Sequence, residues 1–405
     1  MRICFQTKAW GEGAGWFAQE LAQGLAEAGA RVSYVAPKAI PAHREPAHQN
    51  LSRVITSRER QAGPRALRVV SSIRRVLDGY SSCLGARFAT DVYLFSIPDP
   101  LAFFLPLQLL LRGSGARHFT IVHDAVPHAW AGGVAPSQLH RLVLALSYRL
   151  ATQLIATTSD CRDDLVTRFG IKPDKVSVLP HGAFDLGAPT ELPGEGQLLI
   201  FGSLRRNKRL LEAIKAVQLC RRNGQSIRLL IAGAPDRSDP GYWQQCSAQI
   251  DAAPDGIRTE IGFVPDDRIP ELIAGADAVL LPYRDFSSAS GVAILMATSQ
   301  RPLIATATGG IKDLFAMGMA GIPLAEGADV DAIADAIRRF TAQSPQAWRE
   351  KAAAARINLL HALSWKTIGE RYIQAINSDR VHFRENGSEL LLPIQSDDAH
   401  NGGFR

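Results

Sequence analysis

Residues 197–220 read QLLIFGSLRRNKRLLEAIKAVQLC. The opening residues are almost all apolar, a run long enough for a buried strand and too short for a helix. Gly202 then supplies a turn, cations follow, and Leu210, Ile214 and Val217 recur at helical spacing. The unit is strand, turn, helix, and it repeats in both directions. Towards the C-terminus the spacing predicts strands over 227–232, 259–263, 278–281 and 303–305, with helices near 242–252, 269–274 and 292–297. Towards the N-terminus it predicts strands over 2–7, 31–36, 92–97, 118–123, 154–158 and 176–179. Phe17, Leu21, Leu25 and Ala28 stand one helical turn apart, and Gly29 closes that helix. Alternation of this kind builds an α/β fold of doubly wound parallel sheets. Residues 182–196, GAFDLGAPTELPGEG, are rich in Gly and Pro without periodicity and read as a linker between two such domains. Sheets of this type bind ligands at the carboxyl ends of their strands, so the chemistry is expected in a cleft between the domains.

The chain has 405 residues, 46% of them apolar and 21% charged, which excludes disordered, collagen-like and coiled-coil classes. Five cysteines without short spacings define neither a disulfide framework nor a Cys-ligated zinc site. The N-terminus lacks a secretory pattern, and the apolar run 101–111 contains Pro106 and is too short to span a bilayer. A cytoplasmic location is the expectation. Charge is unevenly spread: residues 1–183 hold 21 Lys and Arg against 13 Asp and Glu, whereas the remainder holds 24 against 26. Residues 51–75 contain Arg53, Arg58, Arg60, Arg65, Arg68, Arg74 and Arg75 against Glu59, interleaved with Leu51, Val54, Ile55, Leu67, Val69, Val70 and Ile73. Such a stretch suits an anionic membrane surface or a solvated helix face equally. No nucleic-acid signature accompanies it, so nucleic acid is not an expected partner.

Four segments carry candidate chemistry. Gly11-Glu12-Gly13-Ala14-Gly15-Trp16 brings backbone amides close to a ligand or makes a tight turn. It departs from the dinucleotide pattern because Trp16 replaces the third Gly, which disfavours a nicotinamide enzyme. Arg205, Arg206 and Lys208 lie at a strand's carboxyl end, either as a solvated helix start or, because cations there oppose the dipole of the following helix, as partners for an anion such as a diphosphate. Residues 287–293, SSASGVA, offer amides at a helix start, with Ser288 or Ser290 as an N-cap. Val122-His123-Asp124 ends a strand, where the imidazole and carboxylate would orient or deprotonate a hydroxyl. His118, His123 and His128, at five-residue intervals, alternate faces of a strand and do not converge as a metal set, and Asp329-Val330-Asp331 reads as an N-cap, so no metal is expected.

In this order the segments WFAQELAQGLAEAGARVSYV, VHDAVPH, TTSDCRDDLVTRFGIKPDKVSVLPHG, FGSLRRNK, GFVPDDRIPELIAGADAVLLPY and RPLIATATGGIKDLF resemble a GT-B-fold glycosyltransferase. More narrowly the chain resembles glycosyltransferase family 4, retaining and nucleotide-sugar dependent. Its Gly-x-Leu-Arg-x-x-Lys spacing and Pro180-His181-Gly182 are similar to bacterial enzymes of exopolysaccharide and surface-polysaccharide assembly. The resemblance implies two Rossmann-like domains facing a central cleft. Residues 1–183 would bind acceptor and 184–364 the nucleotide-sugar, with a helix over 365–378 returning to the first domain and a mobile tail over 379–405.

The resemblance also implies roles. Arg205 and Lys208 would hold the diphosphate beside Gly202, with Ser290, Gly291 and Val292 as the amide loop. Gly13 and Gly15 would lie near diphosphate and acceptor, His123 and Asp124 near the reacting sugar, and Phe263 and Val264 around the base. Family members place two glutamates eight positions apart around the loop. Here Ser287 and Leu295 occupy those places, leaving Asp285 as a partial substitute for the first. The implied activity moves a hexose, with retention, from a UDP- or GDP-sugar to a hydroxyl of a lipid-linked oligosaccharide. It would use no metal or other cofactor, on a peripheral protein docked at the inner membrane face through residues 53–75. The missing glutamates also fit a catalytically silent protein that binds sugar nucleotides.

Overall fold

Short apolar runs between amphipathic helices become buried parallel strands because only crossover helices connect neighbours of the same direction. The computed structural model of the chain describes residues 1–8, 12–37, 45–56, 63–96, 101–126 and 138–378. Gly11, Arg58, Arg60, His128 and the expected tail 379–405 lie outside the described residues. The front half contains β1 (Arg2–Thr7), α1 (Glu12–Glu27), β2 (Arg31–Ala36), β3 (Leu51–Ile55), α2 (Arg65–Gly85) and β4 (Val92–Ser96). It continues through α3 (Leu101–Gly113), β5 (Arg117–Val122), α4 (Gln138–Leu150), β6 (Gln153–Ala156), α5 (Ser159–Phe169) and β7 (Val176–Val178). These strands form one seven-stranded sheet in the order β3-β2-β1-β4-β5-β6-β7, and every pairing is parallel.

The rear half contains β8 (Gln197–Phe201), α6 (Leu210–Arg222), β9 (Arg228–Gly233), α7 (Pro240–Ala252), β10 (Ile257–Ile261), α8 (Ile269–Ala274) and β11 (Ala278–Leu281). Next come α9 (Gly291–Thr298), β12 (Leu303–Thr306), α10 (Gly309–Ala316), β13 (Gly321–Leu324), α11 (Val330–Thr341), α12 (Pro345–Ala362) and α13 (Trp365–Asn377). Its six strands are parallel in the order β10-β9-β8-β11-β12-β13. Both sheets are covered by helices on two faces, as the alternation predicts. No helix among the described residues is long and apolar enough to cross a membrane.

Three sequence expectations are corrected. The basic stretch 51–75 is not one helical face: 51–55 is the edge strand β3, largely exposed, and a helix begins at Arg65. The strand expected over 259–263 begins and ends two residues earlier, because β10 pairs residue for residue with Leu229–Gly233 and Gly262 breaks away at φ +145°. β13 was hidden by Pro323, which is tolerated because the strand lies at an edge of the sheet.

The linker is pinned rather than loose. Asp277 accepts the amides of Gly194, Glu195 and Gln197 at 2.5–2.9 Å, and the fully buried Arg301 donates to the carbonyls of Thr190, Glu191 and Ile273. At the linker's start the Ala183 amide donates to the Leu363 carbonyl at 2.7 Å, so the two chain crossings between the halves are tied together. Beyond that crossing α13 lies on α1. Their backbones touch: a Cβ built on Gly24 would stand 2.1 Å from the Trp365 carbonyl oxygen, and one on Gly369 would stand 2.3 Å from that of Gly24.

Candidate functional site

Gly202 turns the chain after β8 at φ +97°, in the left-handed region that favours glycine. Residues 206–208 make one short turn, and Arg209, also left-handed at φ +53°, precedes α6. Arg209 is fixed there by its bond to the Ala328 carbonyl and by Glu212 at 3.3 Å. Arg205, Arg206 and Lys208 therefore gather before the positive end of α6, and each has a different fate. Arg206 faces outwards to Asp239 at 2.8 Å and lies over the Tyr242 ring. Arg205 is 40% exposed, with an Asp236 oxygen 3.7 Å away. Lys208 turns inwards: its Nζ stands 5.6 Å from the centre of the Tyr283 ring and 3.4 Å from where a Gly202 Cβ would be. Burial, and after it the charge of Arg205, push the Lys208 pKa down to about 8. Among the described residues no carboxylate pairs with it.

The loop leaving β11 closes over this lysine. The Arg284 amide donates to the Asn207 carbonyl at 2.8 Å, joining the two segments. The buried Tyr283 hydroxyl bonds Ser290, and burial pushes its pKa up to about 12. Ser290 is the N-cap of α9, accepting the Ala293 amide at 3.1 Å; Ser288 plays no such part. Gly291 opens α9, and a Cβ built on Gly202 would meet Val292 Cγ2 at 3.5 Å. Gly202, Lys208, Tyr283, Ser290 and Val292 thus share one wall.

Other candidates lie less centrally. Ser287 contributes its carbonyl, which accepts the Thr158 hydroxyl from the front half. Asp285 is 84% exposed, sits at φ +52° and stands against its neighbour Arg284. Leu295 is 3% exposed and packed in the core, so α9 offers no polar group there. Phe263 follows β10 and is 75% exposed, whereas Val264 packs against the core.

On the front half Gly13 and Gly15 form the first turn of α1, with open space where a Gly13 Cβ would be. Trp16 packs on Phe184 at 4.1 Å, and Phe184 in turn lies 3.7 Å from a Cβ built on Gly291. The first turn of α1 is thereby coupled to the start of α9. His123 follows β5; its Nε2 is 3.3 Å from Ser96 Oγ and its ring stands edge-on to Phe17 at 4.6 Å. Burial lowers its pKa, against an opposing effect of Asp124, which favours the neutral imidazole. Asp124 lies close enough to Cys161 and Tyr148 to help burial raise both pKa values.

Sequence reasoning missed the aromatic cluster that joins the halves. His181, Phe184 and Trp365 pack around Phe17 with ring centres 4.9–6.0 Å apart, and burial pushes the His181 pKa down to about 4. It also missed Thr158 and Asp160, whose partners are more than a hundred residues away. Among the described residues no three His, Cys, Asp or Glu side chains form a metal set.

Two family descriptions match the chain. Glycosyltransferase Family 4 matches residues 11–183, and Glycosyl transferases group 1 matches residues 195–343. The chain is 27% identical over 245 residues to a glycogen synthase of Mycobacterium tuberculosis, covering 59% of this chain and 57% of that protein. It is 30% identical over 235 residues to a D-inositol 3-phosphate glycosyltransferase of Frankia alni, covering 53% and 56%. The matches thus span little more than half the length of these relatives. The structure of Anabaena HepE in complex with UDP and glucose superposes with a TM-score of 0.69 at 16% identity, covering 93% of this chain and 99% of that one. Sucrose-phosphate synthase from Thermosynechococcus elongatus gives 0.68 at 16% identity, covering 93% and 98%. Both sheets, their order in the chain and the matches to each half lead to one conclusion: the chain belongs to the glycosyltransferases of family 4 and group 1 and has their GT-B fold.

Proposed function

We propose that the protein transfers a hexose from a UDP- or GDP-sugar to a hydroxyl of a lipid-linked oligosaccharide, with retention and without a metal or other cofactor. One observation carries this reading. Lys208 is half-buried, its Nζ turned into the wall of Gly202 and Tyr283 beside Arg205 with no carboxylate partner among the described residues, and a cation withdrawn from water without its own counter-charge is costly unless an anion arrives. The amide end of α9 lies on the same wall, so a diphosphate is gripped from two segments. As the glycosidic bond breaks, charge grows on the leaving diphosphate, and preplaced cations and amides stabilise it. A diphosphate oxygen then takes the proton of the incoming hydroxyl, while the neutral His123, held by Ser96, orients the sugar. Release of UDP or GDP from a panel of sugar donors, with membrane extract as acceptor, tests the activity. No release from any donor, combined with nucleotide binding, favours the silent binding protein, a reading that the buried apolar Leu295 supports. Turnover unchanged after treatment with a chelator is the expected result for metal independence.

The lysine gives this reading a pH signature. In the free protein its ammonium loses the proton near pH 8, and a diphosphate favours the protonated form. UDP affinity is therefore steady below that value and falls above it, by up to about tenfold per pH unit. Calorimetric titrations from about pH 7 to about pH 9.5 read this slope, and Lys208→Arg flattens it because a guanidinium stays charged across the range. A slope identical in both proteins removes Lys208 from the site.

Membrane docking belongs to the same proposal, now narrowed to α2 and its surroundings. Arg53 is taken by Glu45, and Arg75 is half-buried and directed at the Lys8 carbonyl. Arg68 and Arg74 remain exposed among Leu67, Val69, Val70 and Leu77, and Phe88, beyond the other end of α2, is 82% exposed. Co-sedimentation with vesicles containing anionic lipid, and little with neutral vesicles, is the expected result. Arg68→Glu with Arg74→Glu abolishes it. Equal recovery of parent and double variant removes this surface as the dock.

A further inference from the structure

The N-terminal turn of α5 does more than start a helix. Thr158 is its N-cap: Oγ1 accepts the Cys161 amide at 3.0 Å, which satisfies an orphan donor. The same hydroxyl spends its proton across the cleft on the Ser287 carbonyl. Two residues on, Asp160 lies in the first turn, where a carboxylate ordinarily serves its own helix. Instead one oxygen accepts the Gly309 amide at 2.7 Å and the other meets Lys312 Nζ at 3.0 Å. Gly309 opens α10, so the positive ends of α5 and α10 converge on a single carboxylate. Without it, two helix ends and a lysine would face one another with only the weaker influence of Asp313 and Asp163 to offset their charge.

The segment between these contacts is the loop that closes over Lys208. Thr308 Oγ1 donates to the Phe286 carbonyl at 3.0 Å and the Gly310 amide to the Ser288 carbonyl at 3.1 Å. Gly309, at φ +51°, lies so close beneath that a Cβ would stand 2.6 Å from the Ser288 oxygen. Residues 286–288 are therefore held from the rear by α10 and from the front by Thr158, while Asp160 fixes α10 itself. We propose that Thr158 and Asp160 form an interdomain clasp that positions the 286–291 loop and holds the two domains together across the cleft. The loop's place on the donor side rests on the function proposed above; the clasp does not.

Amide hydrogen exchange on the full chain tests it, comparing the parent with Thr158→Val, Thr158→Ser and Asp160→Asn. The expected result is exchange roughly tenfold or more faster at 286–291 and 309–312 in Thr158→Val and Asp160→Asn, with β8 and β9 unchanged. Thr158→Ser keeps both hydrogen bonds and restores the parent rate. Unchanged exchange at these segments overturns the clasp, and so does acceleration spread evenly over the rear sheet, which would mean general loosening. In the same samples UDP affinity falls several-fold in the two loosened variants. A parent chain that binds no UDP counts against the donor reading alone, because the exchange result is read without nucleotide.

Discussion

Replacing Arg205 with Ala lowers kcat for glycosyl transfer by about 100- to 1000-fold, while KM for the nucleotide-sugar rises by less than about tenfold. The asymmetry follows from where charge develops. The diphosphate already carries negative charge in the ground state, and Lys208, inside the wall formed with Gly202 and Val292, meets it there. The additional charge that appears as the sugar departs needs a donor with a forked geometry, which Arg205 has and a lysine lacks. Arg205→Lys is accordingly expected to recover only part of the loss. Asp236, 3.7 Å away, competes for the guanidinium in the free protein, so Asp236→Asn has the opposite sign on donor affinity. Initial-rate kinetics over a range of donor concentrations separate kcat from KM. An Arg205→Ala enzyme with unchanged kcat removes this residue from the transition state and leaves the inward-turned lysine to be explained otherwise.

Gly369→Val destabilises the front domain by about 3 kcal/mol or more, because the added side chain meets backbone that cannot repack. Even a first carbon at this position would lie 2.3 Å from the Gly24 oxygen and 2.9 Å from the Leu25 nitrogen. The helices must part, exposing the buried Trp365, Ile368, Tyr372 and Ile376. Calorimetry is expected to show the front-domain transition lowered by roughly 5 °C or more, with the rear-domain transition little changed. Gly113→Ala serves as the control: it is also a helical glycine, the last residue of α3, but nothing lies within 4 Å of its built Cβ. Equal melting of both variants would mean that α13 contributes little to the front domain.

Much of the fold was legible because its central strands are continuous apolar runs, such as 197–201 and 278–281, which only a doubly covered sheet accommodates. The edges were not. β3 carries Arg53 and exposes most of its residues, and β13 contains Pro323, so neither has the signature of a central strand. The candidate site divides in the same way. Arg205 and Lys208 stood out locally, since cations before a helix contradict its dipole. Which of them turns inwards was not readable, because that depends on Tyr283 and Val292 arriving from another strand. Thr158 read as the end of the strand over 154–158 and Asp160 carried no role of its own, while Phe184 fell in the linker over 182–196 and His181 in the Pro180-His181-Gly182 motif. Their second roles exist only once the two halves are assembled.

The contact between α1 and α13 has a bearing on how the molecule is made. In chain order the rear lobe lies between α1 and α13, so a ribosome completes the thirteen described strands before it delivers the helix that α1 awaits. Until residues 365–377 emerge, the groove around Gly24 stays uncovered on the nascent chain. Translation thus finishes the rear lobe first and covers α1 only when α13 follows.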